Sequence, residues 1–140
     1  MGKKGKKDSV EKIFLTKEEL RKLHWFAKSV ARYVFFIISD APSEIIEKEK
    51  ELLIKHREKL SHYEDTIAWE ITLIKNLVLM LKESARFVRE YVNQYGYTAC
   101  IDTILGTLKK LNFTLNPQAE LIIKDVVMEI IGEQNLNITQ

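Results

Sequence analysis

Residues 16–39 read TKEELRKLHWFAKSVARYVFFIIS, and the reading of this stretch decides the fold class. Thr16 followed three residues later by Glu19 is the pattern of a capping box, in which a hydroxyl and a carboxylate each satisfy a free backbone amide at a helix start. Leu15 before the cap and Leu20 after it are placed to close a hydrophobic staple. At about 100° per residue, Leu20, Leu23, Phe26, Ala27, Val30, Ala31, Val34, Ile37 and Ile38 share one broad arc. Lys17, Arg21, Lys28 and Arg32 fall together on the opposite side, flanked by His24 and Trp25. The stretch is therefore expected to form one long amphipathic helix with an apolar face for a core and a cationic face for water or an anion.

Working outward, Asp40-Ala41-Pro42-Ser43 ends that helix, because proline lacks an amide donor and pushes its predecessor out of helical geometry. A second helix is expected from Ser43, carrying the charged run Glu47 to Glu51. Residues 61–65 fit either a short loop or a continuous helix. A third helix is expected from Asp65 to about Gln94, stopping near Gly96, and a fourth from Thr98 to about Leu111. Asn116 as cap and Pro117 at the first helical position open a fifth, which is expected to end at Gly132 before a polar tail. No stretch alternates with period two long enough to make a strand. The expected class is all-α: a long N-terminal helix plus a four-helix-bundle-like helical domain, preceded by a flexible basic arm. Residues 1–15 form the arm and 16–140 a single helical domain, divided into the helix 16–40, the bundle 43–132 and the tail 133–140.

Length and composition agree with this organisation. The 140 residues suffice for one domain with a real core, and 46% hydrophobic with 30% charged residues is the balance of an ordered globular chain. Five Gly and two Pro leave few turns, which favours long elements. A single cysteine, Cys100, excludes an internal disulfide framework and a cysteine zinc cage, and reads as a small buried apolar side chain. The start Met1 to Lys7 runs into Asp8-Ser9-Val10-Glu11 with no apolar stretch behind it, so no secretory signal is expected. The apolar windows Tyr33 to Ile38 and Ile71 to Leu81 are too short to span a bilayer, which takes about 20 residues.

Charge is distributed unevenly. Residues 1–40 hold ten Lys and Arg against five acids, a net of +5, whereas residues 41–140 hold twelve against fifteen, a net of −3. A cationic front on a mildly acidic remainder suits a chain that meets a polyanion with one end. Lys3, Lys4, Lys6 and Lys7 in the arm, then Lys17, Arg21, Lys28 and Arg32 on the helix, could each neutralise a phosphate, with Trp25 packing beside the sugar. Nothing points to base reading: no zinc-finger spacing, no strand of RNA-binding type, and no Asn/Gln/Arg cluster at a helix start. The expected binding is to the backbone, without sequence preference. The plainer alternative is a solvated polar face.

The second half is unusually apolar. Leu121, Ile122, Ile123, Val126, Val127, Met128, Ile130 and Ile131 occupy nearly every direction around the last helix, and Ile71 to Leu81 behaves similarly. Contact with other subunits or with lipid is expected there, with Ile123 and Ile130 at the contact; one well-buried bundle without a partner is the alternative. Catalytic patterns are few. There is no phosphate-binding glycine loop, nucleophile elbow or zinc-protease motif, and no cofactor or metal site is expected. His56 and His62 stand roughly 120° apart on a helix and would not share a metal. One candidate remains: Arg57-Glu58-Lys59-Leu60-Ser61-His62 resembles the Arg-x4-His motif of the HEPN ribonucleases, which implies acid-base work by His62 and charge stabilisation by Arg57 on a scissile phosphate.

Taken together, the lysine arm, the basic amphipathic helix and the apolar helical remainder resemble the major coat proteins of filamentous archaeal viruses, especially the enveloped lipothrixviruses. The resemblance covers the whole chain in organisation and charge layout, without a diagnostic motif. It implies a structural virion protein and not an enzyme. In that family a heterodimer of two paralogous coat proteins wraps linear double-stranded DNA with N-terminal helices, holds it in A-form, and stacks neighbouring subunits into a helical nucleocapsid under a lipid envelope. Lys3, Lys4, Lys6, Lys7, Lys17, Arg21, Lys28 and Arg32 would then be the DNA contacts. The expected location is the virion, with the host cytoplasm before assembly.

Overall fold

The computed structural model describes residues 15–60 and 66–139, of which 133–139 as helix backbone alone. Among the described residues there are six helices and no strand: α1 (Lys17–Ile38), α2 (Ser43–Leu60), α3 (Ile67–Glu83), α4 (Ala85–Tyr95), α5 (Tyr97–Lys110) and α6 (Pro117–Thr139). The protein is all-α. The arm lysines Lys3, Lys4, Lys6 and Lys7, and also His62, lie outside the described residues.

The helix starts follow the side chains that cap them. Thr16 Oγ1 accepts from the Glu19 amide at 3.1 Å while the Thr16 amide donates to Glu19 Oε1 at 3.0 Å, so the capping box at α1 is closed on both sides. Of the two staple positions, Leu15 packs on the core whereas Leu20 is 42% exposed. Thr66 caps α3 by accepting from the Trp69 amide, and Asn116 Oδ1 caps α6 by accepting from the Ala119 amide at 2.8 Å, with Pro117 at the first helical position.

Two helix ends share one device. After α1, Asp40 takes a left-handed φ of 55°, its amide donates to the Ile37 carbonyl, and the Ala41 amide reaches back to Phe36. After α5, Asn112 takes φ 62°, its amide donates to Lys109 and that of Phe113 to Leu108. Both are Schellman endings, with Asp and Asn in the place that glycine usually takes because their short polar side chains tolerate this region. Gly96 between α4 and α5 has φ 99° and ψ 161°, a region open to glycine alone.

Two boundaries differ from expectation. The helix expected over 65–94 is two helices, broken at Ser84 (φ −106°, ψ 25°). Val88 stands in helical phase with Leu81, so the hydrophobic period runs through the break without a signal. An unbroken 30-residue helix would be about 45 Å long against about 33 Å for α1, and would overrun the core. Bending at Ser84 folds α4 back onto α5 and α6 instead. In the other case, α6 continues past Gly132 to Thr139, where a polar tail was expected.

α1 lies at the centre, packed most extensively on α3 and next on α2, while α6 covers α3 from another side. Phe26 anchors the core, stacked on Trp69 at 5.2 Å and edge-on to Phe113 at 5.9 Å. Leu73, Leu77 and Leu81 of α3, Ile104 and Leu108 of α5, and Ile123 and Val127 of α6 are fully buried around it. Each such side chain contributes about 1.5–3 kcal/mol by leaving water. Ile123 and Ile130 thus belong to the protein's own core, contrary to the expectation that they meet a partner. Among the described side chains of α6, Leu121, Ile122 and Met128 are the exposed large apolar ones.

Candidate nucleic-acid interface

The face of α1 turned away from the core carries the cations. Leu23, Phe26, Ala27, Val30 and Val34 are buried on one side of the helix, and Lys17, Arg21, Lys28, Arg32 and Trp25 are exposed on the other. Lys17 to Arg32 spans about 22 Å of axis at 1.5 Å per residue. A duplex presents a phosphate about every 1.7 Å of its own axis, so a stripe of this length meets several at once.

The stripe is not uniform. Towards its C-terminal end, Arg32 stands 3.8 Å from the largely buried carboxylate of Glu49 on α2. Glu83 of α3 shares a shallow groove with Lys28 and Arg32. Part of the cationic charge there is already answered. Towards the N-terminal end Lys22 pairs with Glu18, both well exposed and 4.0 Å apart, which counts for little in water.

Packing of α2 beside α1 adds residues that sequence reasoning set aside. A cleft of about 490 Å³ opens between the two helices, with Arg21 and Lys22 on one wall, His56 and Lys59 on the other, and Phe26 and Leu60 below. Trp25 borders it, 56% exposed, its indole edge-on to the His56 ring at 5.0 Å. Among the described residues no carboxylate lines this cleft. His56 reads as a solvated helix histidine in sequence; the available signal was the basic last turn of α2, where Arg57 and Lys59 sit. Nothing in a single sequence says which face of α1 that turn approaches. His24, also beside the stripe, meets the side-chain amide of Asn76 at 3.3 Å and ties α1 to α3.

The candidate chemistry at Arg57 looks different once folded. Its guanidinium donates to the carbonyl oxygens of Leu111 and, at 3.1 Å, Asn112, and lies 4.4 Å above the Phe113 ring. These groups form the Schellman ending of α5, so Arg57 clamps a turn that the backbone alone leaves with free carbonyls. Cys100 is fully buried and burial pushes its thiol up to about 11, so it supplies no thiolate at neutral pH. Among the described residues no three His, Cys, Asp or Glu side chains gather as a metal site, and no helix is long and apolar enough to cross a membrane.

Fold and site together define an all-α protein with a cationic helix face. No family model, curated protein or solved structure matches the chain.

Proposed function

We propose that this is a structural, non-enzymatic coat protein that binds linear double-stranded DNA along its backbone, without sequence preference, and assembles into a helical nucleocapsid of the filamentous archaeal virus type. The observation that carries the reading is the division of α1 into a buried apolar side and an exposed stripe of Lys17, Arg21, Lys28 and Arg32. In this reading residues 1–15 are a flexible arm that adds Lys3, Lys4, Lys6 and Lys7 to the contact. Residues 43–132, which carry α2 to α5 and most of α6, form a helical body around the buried side of the DNA-facing helix. Leu121, Ile122 and Met128 on α6, with Ile67, Ile71 and Leu79 on α3, are exposed apolar side chains suited to a paralogous coat subunit, to neighbouring subunits of the filament, or to the lipid envelope. Neutralising phosphates under close protein cover lowers water activity around the duplex and favours A-form. The place of action is the virion, after assembly from the host cytoplasm. The engagement of Arg57 with the α5 ending weighs against the ribonuclease reading.

The test is the salt dependence of binding to random duplex DNA. Each neutralised phosphate contributes about −0.9 to the slope of log K against log salt, so four helix cations give about −3.6 and eight with the arm about −7. Deleting residues 1–7 should move the slope from the larger value to the smaller, and electron microscopy with linear DNA should show filaments for the full chain. An affinity indifferent to salt, or a strong preference for one sequence, overturns the proposal.

A further inference from the structure

The cleft between α1 and α2 has a composition that a plain backbone contact does not need. A duplex phosphate touches a charged ridge from outside, whereas this cleft sinks between two helices, has an apolar floor, and is bordered by an indole with much of its surface free. Its volume of about 490 Å³ lies within the range of small-molecule sites, roughly 300–1,000 Å³. Among the described residues three permanent cations, Arg21, Lys22 and Lys59, line it and no acid does, and the ion-pair partner of Lys22 is exposed Glu18 at 4.0 Å.

We propose that this cleft is a nucleotide pocket, in which an aromatic base lies on the exposed indole of Trp25 and the phosphate sits among Arg21, Lys22 and Lys59. Stacking on an indole tolerates any base, because every base has a π-face. The edge-on contact with His56 holds the indole, so little side-chain freedom is lost when a base covers it. Three cations suit the two charges and several oxygens of a phosphate better than a single carboxylate. That comparison decides against a fatty acid, the other ligand an apolar floor with a basic rim would take. The nucleotide is either free or an unpaired residue of a nucleic-acid strand; the chemistry of recognition is the same. Arg21 and Trp25 also belong to the duplex-facing stripe, but the inference stands on the cleft and does not require duplex binding.

The experiment follows tryptophan emission of the full chain during titration with adenosine monophosphate, inorganic phosphate, adenosine and octanoate. Trp69 is 4% exposed and gives a constant background, which Trp25→Phe measures. Adenosine monophosphate should quench saturably and bind at least tenfold tighter than phosphate or adenosine, each of which supplies half of the contacts. Lys59→Glu and Arg21→Glu should weaken it tenfold or more with thermal melting unchanged, since both side chains are exposed. Lys28→Glu with Arg32→Glu, away from the cleft, should leave the quenching as it was, so failure of the duplex reading is seen separately. Displacement of the bound nucleotide by an oligothymidylate marks an unpaired strand residue as the source, and absence of displacement marks the free nucleotide. The proposal is overturned by quenching that does not saturate, by phosphate or octanoate binding as tightly as the nucleotide, or by full affinity in Lys59→Glu.

Discussion

α1 and α6 are nearly equal in length, 22 and 23 residues, and both bury a continuous face, yet they expose opposite chemistry. On α1 the exposed positions are Glu18, the cations, His24 and Trp25, with Leu20 as the one aliphatic exception, so the apolar face and the core coincide. On α6 the outward positions include Leu121, Ile122 and Met128 beside the charged Asp125 and Glu129. The difference teaches that a hydrophobic arc locates the buried side of a helix only when polar residues fill the other side. A helix apolar all round tells that surface is in excess, but not which part of it the chain itself covers.

The strongest way to break the comparison is to place a charge on each buried face. Phe26→Asp in α1 and Ile123→Lys in α6 both introduce an unpaired charge where the parent side chain is at most 1% exposed. Each should cost on the order of 4 kcal/mol or more and abolish cooperative unfolding followed by circular dichroism. If Ile123→Lys melted like the parent, α6 would not be packed on α3 as described, and the contrast between the helices would collapse.

A smaller loss is expected at Arg57. Replacing it with Ala removes two charge-assisted hydrogen bonds to the α5 ending and its stacking on Phe113, which should cost about 1.5–3 kcal/mol in urea unfolding. The ribonuclease alternative requires instead that Arg57→Ala keep its stability and lose cleavage of RNA. Measuring both separates a turn clamp from a catalytic group.

These residues also show what could be read in advance. The start of α1, its buried face and the Asn116-Pro117 start of α6 are local patterns, fixed by side chains a few positions apart, and all three were legible. The bend at Ser84 was not, because the hydrophobic phase is continuous across it and only the packing of α4 on α5 and α6 sets it. The same holds at the site: the stripe on α1 follows from periodicity, whereas Lys59, His56 and the cleft arise from the approach of α2, some 30 residues away in sequence. Arg57 carried a motif in sequence and a structural contact in space, since a four-residue spacing says nothing about a turn more than 50 residues further on.

At the helix start the effect should be smaller again. Thr16→Ala removes the hydroxyl that accepts from Glu19, with an expected cost of about 1 kcal/mol, typical of an exposed cap. Hydrogen exchange should localise the loss to the first turn of α1. Because Lys17 and Arg21 stand on that turn and the next, duplex affinity should fall slightly although no charge has changed. Uniform loss of protection along α1 would mean that the cap supports the whole helix and not its end.

The smallest effect on folding, and the one that bears on assembly, belongs to the outward face of α6. Leu121 and Met128 are each 56% exposed, so Leu121→Lys and Met128→Lys give up little burial and should change the unfolding free energy by less than about 0.5 kcal/mol. If this face meets another subunit, the same two lysines must be desolvated against apolar surface without a partner charge, which opposes association far more than it opposes the fold. Sedimentation should then show the parent protein self-associating and the double variant as a smaller species, while affinity for short duplex DNA stays unchanged because α1 is untouched. Identical sedimentation of the two would mean that the apolar excess of α6 is not an assembly surface. The contrast between the helices would then describe a single bundle, with function confined to α1 and the cleft beside it.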